Sequence, residues 1–359
     1  MIITYLFRAG RVARLTQGGN IPNEFFYGFP QLKKKGWNIS IIEDEDLGMA
    51  PPLSPVAQYI NKAARLFGGL PIGMVVPLFS ATRRALLYDS DIVIATTNGM
   101  GLALGMAVML GVIKKRVVLL GMGLLSKDSG GWQRLLYRLV LRKLFIVSIS
   151  RSEQIFLSEV LRKRIVYVPF GVDKVFWAPD KSVVGDFVLA IGNDSNRDWQ
   201  TLVDAWNLDL PPLKIVTSLP VPCSPQNVEV IKGDWRNNVI SDTEIRNLFR
   251  AARFVVVPLK DTIQPAGQSV CLQAMACGKA VILTDIAGMW DRDLMVDGRT
   301  VVLTPPNDAA ALSTRVRYLV NNPEVSERIG DAGRAVVDQH LNSDAMAAGI
   351  QAFLEEFYD

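Results

Sequence analysis

A glycine-containing loop leads into a helical segment and a buried strand between Gln264 and Gly288, in the sequence QPAGQSVCLQAMACGKAVILTDIAG. Gly267, Gln268 and Ser269 stand where the loop becomes the helix, so their backbone N–H groups have no partner inside the helix. N–H groups at this end of a helix attract a phosphate or a sugar hydroxyl. The segment therefore indicates an anion-binding site of a kind that many α/β folds share.

A second polar loop, GNDSNRDWQTL from Gly192 to Leu202, directly follows a predicted strand. Arg197 is its only cation, and Asn193 is a polar side chain near its start. A guanidinium at a strand end can bind and neutralise an anionic group such as a phosphate. The alternative interpretation is a surface arginine paired with Asp194 or Asp198.

Polar residues also follow two predicted strands of the first half of the chain. Gly18, Gly19 and Asn20 come after the first strand, and adjacent glycines let a backbone approach a ligand closely. An ordinary flexible turn is the alternative. Thr97 and Asn98 end another strand, and we expect them to face an acceptor. The glycines at 99, 101 and 105 lack the spacing of a dinucleotide fingerprint, which favours tight helix–sheet packing instead.

Strands that alternate with helices must position these loops. The apolar runs predict strands at 1–7, 37–42, 91–95, 116–120 and 146–150, and then at 187–191, 214–217, 228–231, 254–257 and 280–283. Predicted helices include 23–35, 132–145, 198–206, 344–358 and 241–252, the last with a Ser-x-x-Glu capping box. This alternation is typical of parallel sheets covered on both faces. A length of 359 residues fits two such domains.

The stretch QAMACGKAVI, from Gln273 to Ile282, resembles the donor-binding segment E-A-M-A-x-G-x-P-V-V of the family 4 retaining glycosyltransferases, also called glycosyl transferases group 1. The paired glycines after the first strand and the turn Pro169 to Asp173 extend the resemblance over nearly the whole chain. It implies the GT-B fold: two facing Rossmann-like α/β domains with parallel sheets and a cleft between them. We expect an acceptor-side domain at 1–170, a nucleotide-sugar-binding domain at 171–340, and a C-terminal helix at 341–359 that packs back on the first domain.

The resemblance also implies roles for particular residues. The donor-binding residues would be Gly18, Gly19, Asn193, Arg197, Gly267, Gln268, Ser269 and Gln273. Gly19 and Arg197 would be catalytic, and Asn20, Thr97 and Asn98 would lie on the acceptor side. The implied enzyme is a metal-independent, hexosyltransferase-like protein without a cofactor, whose acceptor is a lipid-linked or cell-surface glycan precursor in polysaccharide biosynthesis.

Two departures from the family pattern keep other functions open. The family's E-x7-E motif would place glutamates at 265 and 273, where this chain has Pro265 and Gln273, and the first half lacks the histidine that many members use. One alternative is therefore a catalytically impaired GT-B scaffold that binds a nucleotide sugar or glycan without turnover. Another is a nucleotide-sugar epimerase on the same fold.

Charge is distributed unevenly along the chain. Residues 1–175 hold 23 Lys and Arg against 11 Asp and Glu, which is +12, and the remainder of the totals, 16 against 24, gives −8. The basic half, with Arg134, Arg138 and Arg142 at a spacing of four, predicts contact with an anionic membrane surface. No nucleic-acid module is recognisable. The pattern of three cysteines and one histidine predicts no metal site. A short apolar N-terminus and the absence of a long apolar run predict a cytoplasmic protein, peripheral on the inner face of the membrane.

Overall fold

The computed structural model describes residues 1–16, 21–50, 58–59, 62, 68–180, 182, 185–233 and 239–357. The chain divides into two compact units. The first consists of Met1–Gly18, Phe26–Pro169 and Ala347–Asp359, and the second of Gly19–Phe25 and Phe170–Met346. The sequence analysis placed all of 1–170 in one domain, whereas the segment Gly19–Phe25 groups with the second unit.

The first unit is built on a parallel sheet of six strands in the order β2-β1-β3-β4-β5-β6. Its strands are β1 (Ile3–Phe7), β2 (Ile39–Glu43), β3 (Ile92–Ala95), β4 (Arg116–Gly121), β5 (Phe145–Ser148) and β6 (Val166–Tyr167). Its α-helices are Arg11–Leu15, Phe29–Lys34, Ile72–Val75, Ala81–Ala85, Asn98–Met109, Gly131–Val140 and Arg151–Leu161, and Val76–Phe79 is a 3-10 helix. The helix Ser343–Glu355 begins in the second unit and ends in the first.

The second unit has its own six-stranded parallel sheet, in the order β12-β11-β10-β7-β8-β9. Its strands are β7 (Val188–Ile191), β8 (Leu213–Thr217), β9 (Val228–Lys232), β10 (Val255–Val257), β11 (Val281–Thr284) and β12 (Val302–Thr304). Its α-helices are Trp199–Asp204, Asp242–Ala251, Gln268–Ala276, Ala309–Asn321 and Pro323–Gln339. The 3-10 helix Glu24–Phe26 begins in the second unit, and its last residue belongs to the first.

Continuous apolar runs explain both sheets. The strands IVIA of β3, VVV of β10 and VILT of β11 are buried at every position, because helices cover both faces of each sheet. The ten predicted strands are confirmed to within a few residues. β6 and β12 were missed: β6 has only two residues, and β12 only three.

Two predicted helices were wrong in part. Residues 23–35 do not form one helix, because Tyr27 and Gly28 have left-handed φ values of 48° and 78° and Pro30 follows. The α-helix starts only at Phe29. Likewise, the helix predicted over 132–145 ends at Val140, so Arg142 lies beyond it, and Phe145 is the first residue of β5.

Two local predictions are confirmed. Ser241 and Glu244 form the expected reciprocal capping box at the start of the helix Asp242–Ala251. A methyl group at Gly105 would lie 2.8 Å from the carbonyl oxygen of Val140, so this glycine permits close packing of the helix Asn98–Met109. A methyl group at Gly101 would likewise clash with Leu119, so Gly101 and Gly105 serve packing as predicted, whereas, among the described residues, one at Gly99 would meet only the Met74 side chain, at 3.5 Å.

Candidate functional site

The strand order of the second sheet reverses between β7 and β10, which lie side by side although two strands separate them in sequence. In open α/β sheets, ligands bind at the carboxyl ends of the strands where the order reverses. The loops after β7 and β10 are joined there: Asp198 N–H donates to the Pro258 carbonyl at 3.1 Å, and Lys260 N–H donates to the Asn196 carbonyl at 2.9 Å. A backbone bridge between Arg197 and Leu259 lies between these bonds.

Arg197 is buried at this point, with 4% of its surface exposed. Its side chain passes against Gly192 and reaches the helix that follows β10, since a methyl group at Gly267 would lie 2.8 Å from Arg197 Nη1. Side chains larger than hydrogen at either glycine would displace the guanidinium. The structure thus brings together two predicted site residues that are 70 positions apart.

The Arg197 guanidinium is incompletely paired. Nε lies 3.2 Å from Asp194 Oδ2, but among the described residues neither Nε nor Nη1 makes a hydrogen bond. Burial lowers the pKa of Arg197, and the nearby Asp194 carboxylate opposes that shift. Buried donors without an acceptor are costly, and a bound anion would satisfy them. Arg197 is therefore not a surface residue, although its expected ion pair with Asp194 is present. Asp198 instead caps the helix Trp199–Asp204 through Thr201 N–H at 3.1 Å.

Gly267 is the N-cap of the helix Gln268–Ala276 and adopts a left-handed φ of 74°. No side chain caps this helix end. Gln268 is buried and Ser269 is half-buried. The helix N-terminus and the buried Arg197 therefore lie close together, and their role in donor binding stays a prediction.

Asn193 lies beside Arg197, but its side chain is fully engaged in holding the loop. Its Nδ2 donates to the Gly233 carbonyl at 2.5 Å, and its Oδ1 accepts from Ser218 N–H at 2.6 Å and from the Thr217 hydroxyl at 3.2 Å. These bonds tie the end of β7 to the ends of β8 and β9. A role in donor binding stays a prediction, with the side chain acting through the loop it anchors.

Gln273 faces a residue that the sequence analysis missed. Its Nε2 donates a 3.0 Å hydrogen bond to Glu24 Oε1, and Glu24 has no exposed surface. Trp177 Nε1 donates to the same Glu24 oxygen at 2.9 Å, and Asp173 N–H donates to Oε2 at 3.2 Å. All four residues belong to the second unit. The signal in the sequence was a single acid between apolar residues, in the stretch IPNEFF.

Burial raises the pKa of Glu24 to about 7, and the hydrogen bonds from Gln273, Trp177 and Asp173 lower it only partly. Desolvation disfavours a charged carboxylate, whereas N–H donors favour it. Glu24 therefore exchanges its proton near neutral pH, which is uncommon for a glutamate. A carboxyl group with a strongly raised pKa is a frequent mark of a functional site.

The predicted acceptor-side residues of the first unit lie at the end of β3. The Thr97 hydroxyl accepts a 3.3 Å hydrogen bond from Met100 N–H as the cap of the next helix. Asn98 pairs with the Met122 backbone through two hydrogen bonds, of 2.7 and 3.2 Å. Both side chains thus hold local structure, and their acceptor role stays a prediction. Gly18, Gly19 and Asn20 lie outside the described residues.

Within the described ranges, no group of three or more His, Cys, Asp or Glu side chains is arranged to hold a metal ion. No helix in the described part of the chain is long and apolar enough to cross a membrane.

The two doubly wound sheets define a two-domain α/β protein of the GT-B fold, as predicted. Known structures of this kind superpose over the whole chain: sucrose-phosphate synthase from Thermosynechococcus elongatus has a TM-score of 0.74 with 17% identity, covering 100% of this chain and 99% of the other. Anabaena HepE, solved in complex with UDP-glucose, has a TM-score of 0.70 with 15% identity over 99% of this chain and 100% of its own. At such identities the likeness establishes the fold.

Sequence comparisons match parts of the chain to known glycosyltransferases. The model of "Glycosyl transferases group 1" matches residues 225–322. Alpha-maltose-1-phosphate synthase of Mycolicibacterium smegmatis is 29% identical over 203 residues, which are 48% of this chain and 51% of that enzyme. This chain therefore spans about half the length of that curated relative. Over these stretches the chain is similar to the group 1 glycosyltransferases, which confirms the resemblance seen in the sequence.

Proposed function

We propose that the protein transfers a sugar from a nucleotide-sugar donor to an acceptor, with retention of the anomeric configuration. The observation that carries the proposal is the buried guanidinium of Arg197, whose Nε and Nη1 lack hydrogen bonds among the described residues, beside the uncapped helix end at Gly267. Both would bind the donor diphosphate. Negative charge grows on the diphosphate as its bond to the anomeric carbon breaks, so Arg197 and the helix N–H groups would stabilise the transition state.

The printed names of relatives support the same class of substrate. HepE was solved with UDP-glucose, and the curated relatives include enzymes named for synthesis of a sugar phosphate. By family analogy, the acceptor hydroxyl attacks from the face that the diphosphate leaves. In this scheme Arg197 and the helix N-terminus supply the positive charge, and no metal ion is needed.

A thermal-shift screen followed by a turnover assay tests this proposal. Purified protein is heated with UDP, ADP, GDP and their glucose, galactose, mannose and N-acetylglucosamine derivatives. For each nucleotide sugar that stabilises the protein, release of the nucleoside diphosphate is then measured. We expect one donor to stabilise by about 2.7 kcal/mol at a hundredfold excess over Kd, and to be consumed. Stabilisation without consumption, in the presence of candidate acceptors, would favour the catalytically impaired scaffold, for which Pro265 and Gln273 argue.

We further propose that the acceptor is linked to a lipid and that the first unit binds an anionic membrane surface. The helix Gly131–Val140 exposes Trp132, Leu135 and Leu139, which follow one another at spacings of three and four and so share one face. Arg134 and Arg138 lie on the same helix. Their side chains are held in place by hydrogen bonds that they donate to the carbonyls of Lys127 and Val160, respectively. Apolar and basic side chains together are what an interfacial helix presents to anionic lipid.

Vesicle flotation tests the membrane proposal. We expect binding to vesicles that contain one third phosphatidylglycerol, weaker binding at high salt, and little binding to pure phosphatidylcholine. Leu139→Glu should weaken binding, whereas Ile155→Glu, which changes an even more exposed apolar residue on the helix Arg151–Leu161, should not. Equal binding to both kinds of vesicle, or equal loss in both variants, contradicts the proposal.

A further inference from the structure

Glu24 is a buried acid without a cationic partner. Its carboxylate accepts from Gln273 Nε2 at 3.0 Å, Trp177 Nε1 at 2.9 Å and Asp173 N–H at 3.2 Å, and no Lys or Arg in the described part of the chain pairs with it. An acid in such surroundings destabilises the fold relative to an apolar residue of the same size. The presence of Glu24 at this buried position therefore indicates a role beyond packing.

The contact with Glu24 determines which end of the Gln273 amide faces the carboxylate. An ionised carboxylate accepts hydrogen bonds only, so the amide must turn its NH2 end toward Glu24. The carbonyl oxygen Oε1 is then the end that remains for another partner. Trp177 and Asp173 hold the Glu24 carboxylate itself in place, since one donates to each of its oxygens.

Gln273 lies on the helix whose N-terminus meets Arg197. Gly267 is the N-cap and Gln273 is six residues further on, which corresponds to roughly 9 Å along the helix axis. That distance is on the scale of a ribose and a diphosphate together. The N-terminus of this helix thus offers backbone N–H donors to an anion. About one and two-thirds turns further along, the helix carries the side-chain carbonyl oxygen of Gln273, whose orientation is set by Glu24.

We infer that Glu24 is a positioning residue, which holds Gln273 so that its carbonyl oxygen accepts a hydrogen bond from a ribose hydroxyl of a bound nucleoside diphosphate. The inference rests on the proposed function. Gln273 alone has a donor end and an acceptor end of similar shape, and Glu24 selects the acceptor end. The Gln273 carbonyl oxygen is then a neutral acceptor for the hydroxyl, and the negative charge stays on the Glu24 carboxylate.

Calorimetric titration with deoxy-nucleotides tests this role. UDP, ADP and GDP are titrated first, and the tightest binder is then compared with its 2′-deoxy and 3′-deoxy forms. We expect the wild-type protein to bind one deoxy form about tenfold more weakly, as for the loss of one good hydrogen bond. Glu24→Met removes the acceptor for Gln273 Nε2, so this variant should bind the parent nucleotide and both deoxy forms with similar, weakened affinity.

Two further variants serve as controls. Glu24→Gln can keep an oxygen at the position of Oε1, so it should retain the preference for the hydroxyl. Glu153→Gln changes another fully buried glutamate, which accepts from Leu124 N–H at 2.8 Å in the first unit, and should leave nucleotide affinity and preference unchanged. If damage to the fold alone caused the loss of preference, Glu24→Met and Glu24→Gln would lose it alike.

Gln273→Glu provides a test that does not depend on the folding of Glu24→Met. It would place two carboxyl groups 3.0 Å apart, and such a pair resists double ionisation. Besides Gln273, the Trp177 indole and the backbone N–H groups of Asp173 and Glu24 itself face the Glu24 carboxylate, and among the described residues no charged side chain relieves the pair. Relative to wild type, nucleotide affinity of Gln273→Glu should fall between pH 6 and pH 8, and adding Glu24→Gln should remove that fall.

The outcomes separate the two proposals. Failure of the wild-type protein to bind any of the three nucleotides overturns the proposed function, and this inference with it. Binding without any preference for a ribose hydroxyl, or a preference that persists unchanged in Glu24→Met, overturns the positioning role alone. An equal fall in affinity with pH in Gln273→Glu and in its double variant with Glu24→Gln also overturns it.

Discussion

Arg197 and Gly267 belong to loops that follow different strands, yet a single added methyl group at Gly267 would come within 2.8 Å of the Arg197 guanidinium. The contact lies where the strand order of the second sheet reverses, between β7 and β10. A parallel sheet places the ends of its strands along one edge, so two loops distant in sequence form one site there. The partial positive charge of the helix N-terminus adds to the cost of burying Arg197, and the Asp194 carboxylate at 3.2 Å offsets part of that cost. A bound diphosphate, as proposed above, would offset more of it.

Replacing Gly267 by alanine should abolish nucleotide binding. Alanine is strained at a φ of 74°, and its methyl group would also lie 2.6 Å from Val257 Cγ1 and 2.8 Å from Arg197 Nη1. Gly298→Ala is the matched control, because Gly298 has a φ of 69° but open space around the added methyl group. Both variants should lose on the order of 1 kcal/mol of stability, and only Gly267→Ala should lose the thermal shift caused by nucleotide. Loss of that shift in both would show that strain alone is responsible.

Glu24 should make stability fall as pH rises from about 4.5 to about 7. Its pKa is about 7 in the folded protein and 4.5 for an unperturbed glutamate, so in this window the unfolded chain releases a proton that the folded protein keeps. Unfolding is then favoured by higher pH, by about 3 kcal/mol across the window.

Urea unfolding of the wild-type protein and of Glu24→Gln at pH 5 and pH 7.5 measures this effect. Other groups contribute equally to both proteins, so the stability of Glu24→Gln relative to wild type should increase with pH by that amount. A constant difference between the two proteins at both pH values contradicts a raised pKa at Glu24.

Ser241→Ala should lower stability by about 1 kcal/mol, because it removes the side chain that accepts from Glu244 N–H at 3.2 Å in the capping box. Ser80 is the comparison, since it precedes the helix Ala81–Ala85 without any side-chain capping bond. Ser80→Ala should therefore leave the melting temperature nearly unchanged. Equal shifts in the two variants would mean that the capping box contributes nothing specific.

The sheets could be predicted from the sequence because their strands are short apolar runs buried on both faces, such as VVV of β10. Arg197 and Gly267 could be named because each follows such a strand. The prediction of one helix over 23–35 was wrong, because Tyr27 and Gly28 adopt left-handed conformations. Such conformations depend on local packing, which the spacing of apolar residues does not reveal. Glu24 was missed for a different reason: its partner Gln273 is 249 positions away, and only the folded second unit brings them together.

The central claim is that Arg197 binds the diphosphate of a nucleotide, and calorimetric titration of UDP, ADP and GDP into Arg197→Ala tests it most directly. Arg253→Ala is the control: Arg253 lies before β10, at the opposite end of that strand, and pairs with Asp186 at 3.2 Å. We expect Arg197→Ala to lose at least tenfold in affinity, in line with a charge-assisted hydrogen bond of about 1.5–3 kcal/mol, and Arg253→Ala to bind as the wild type does. Unchanged nucleotide affinity in Arg197→Ala, with the fold intact, would contradict the account.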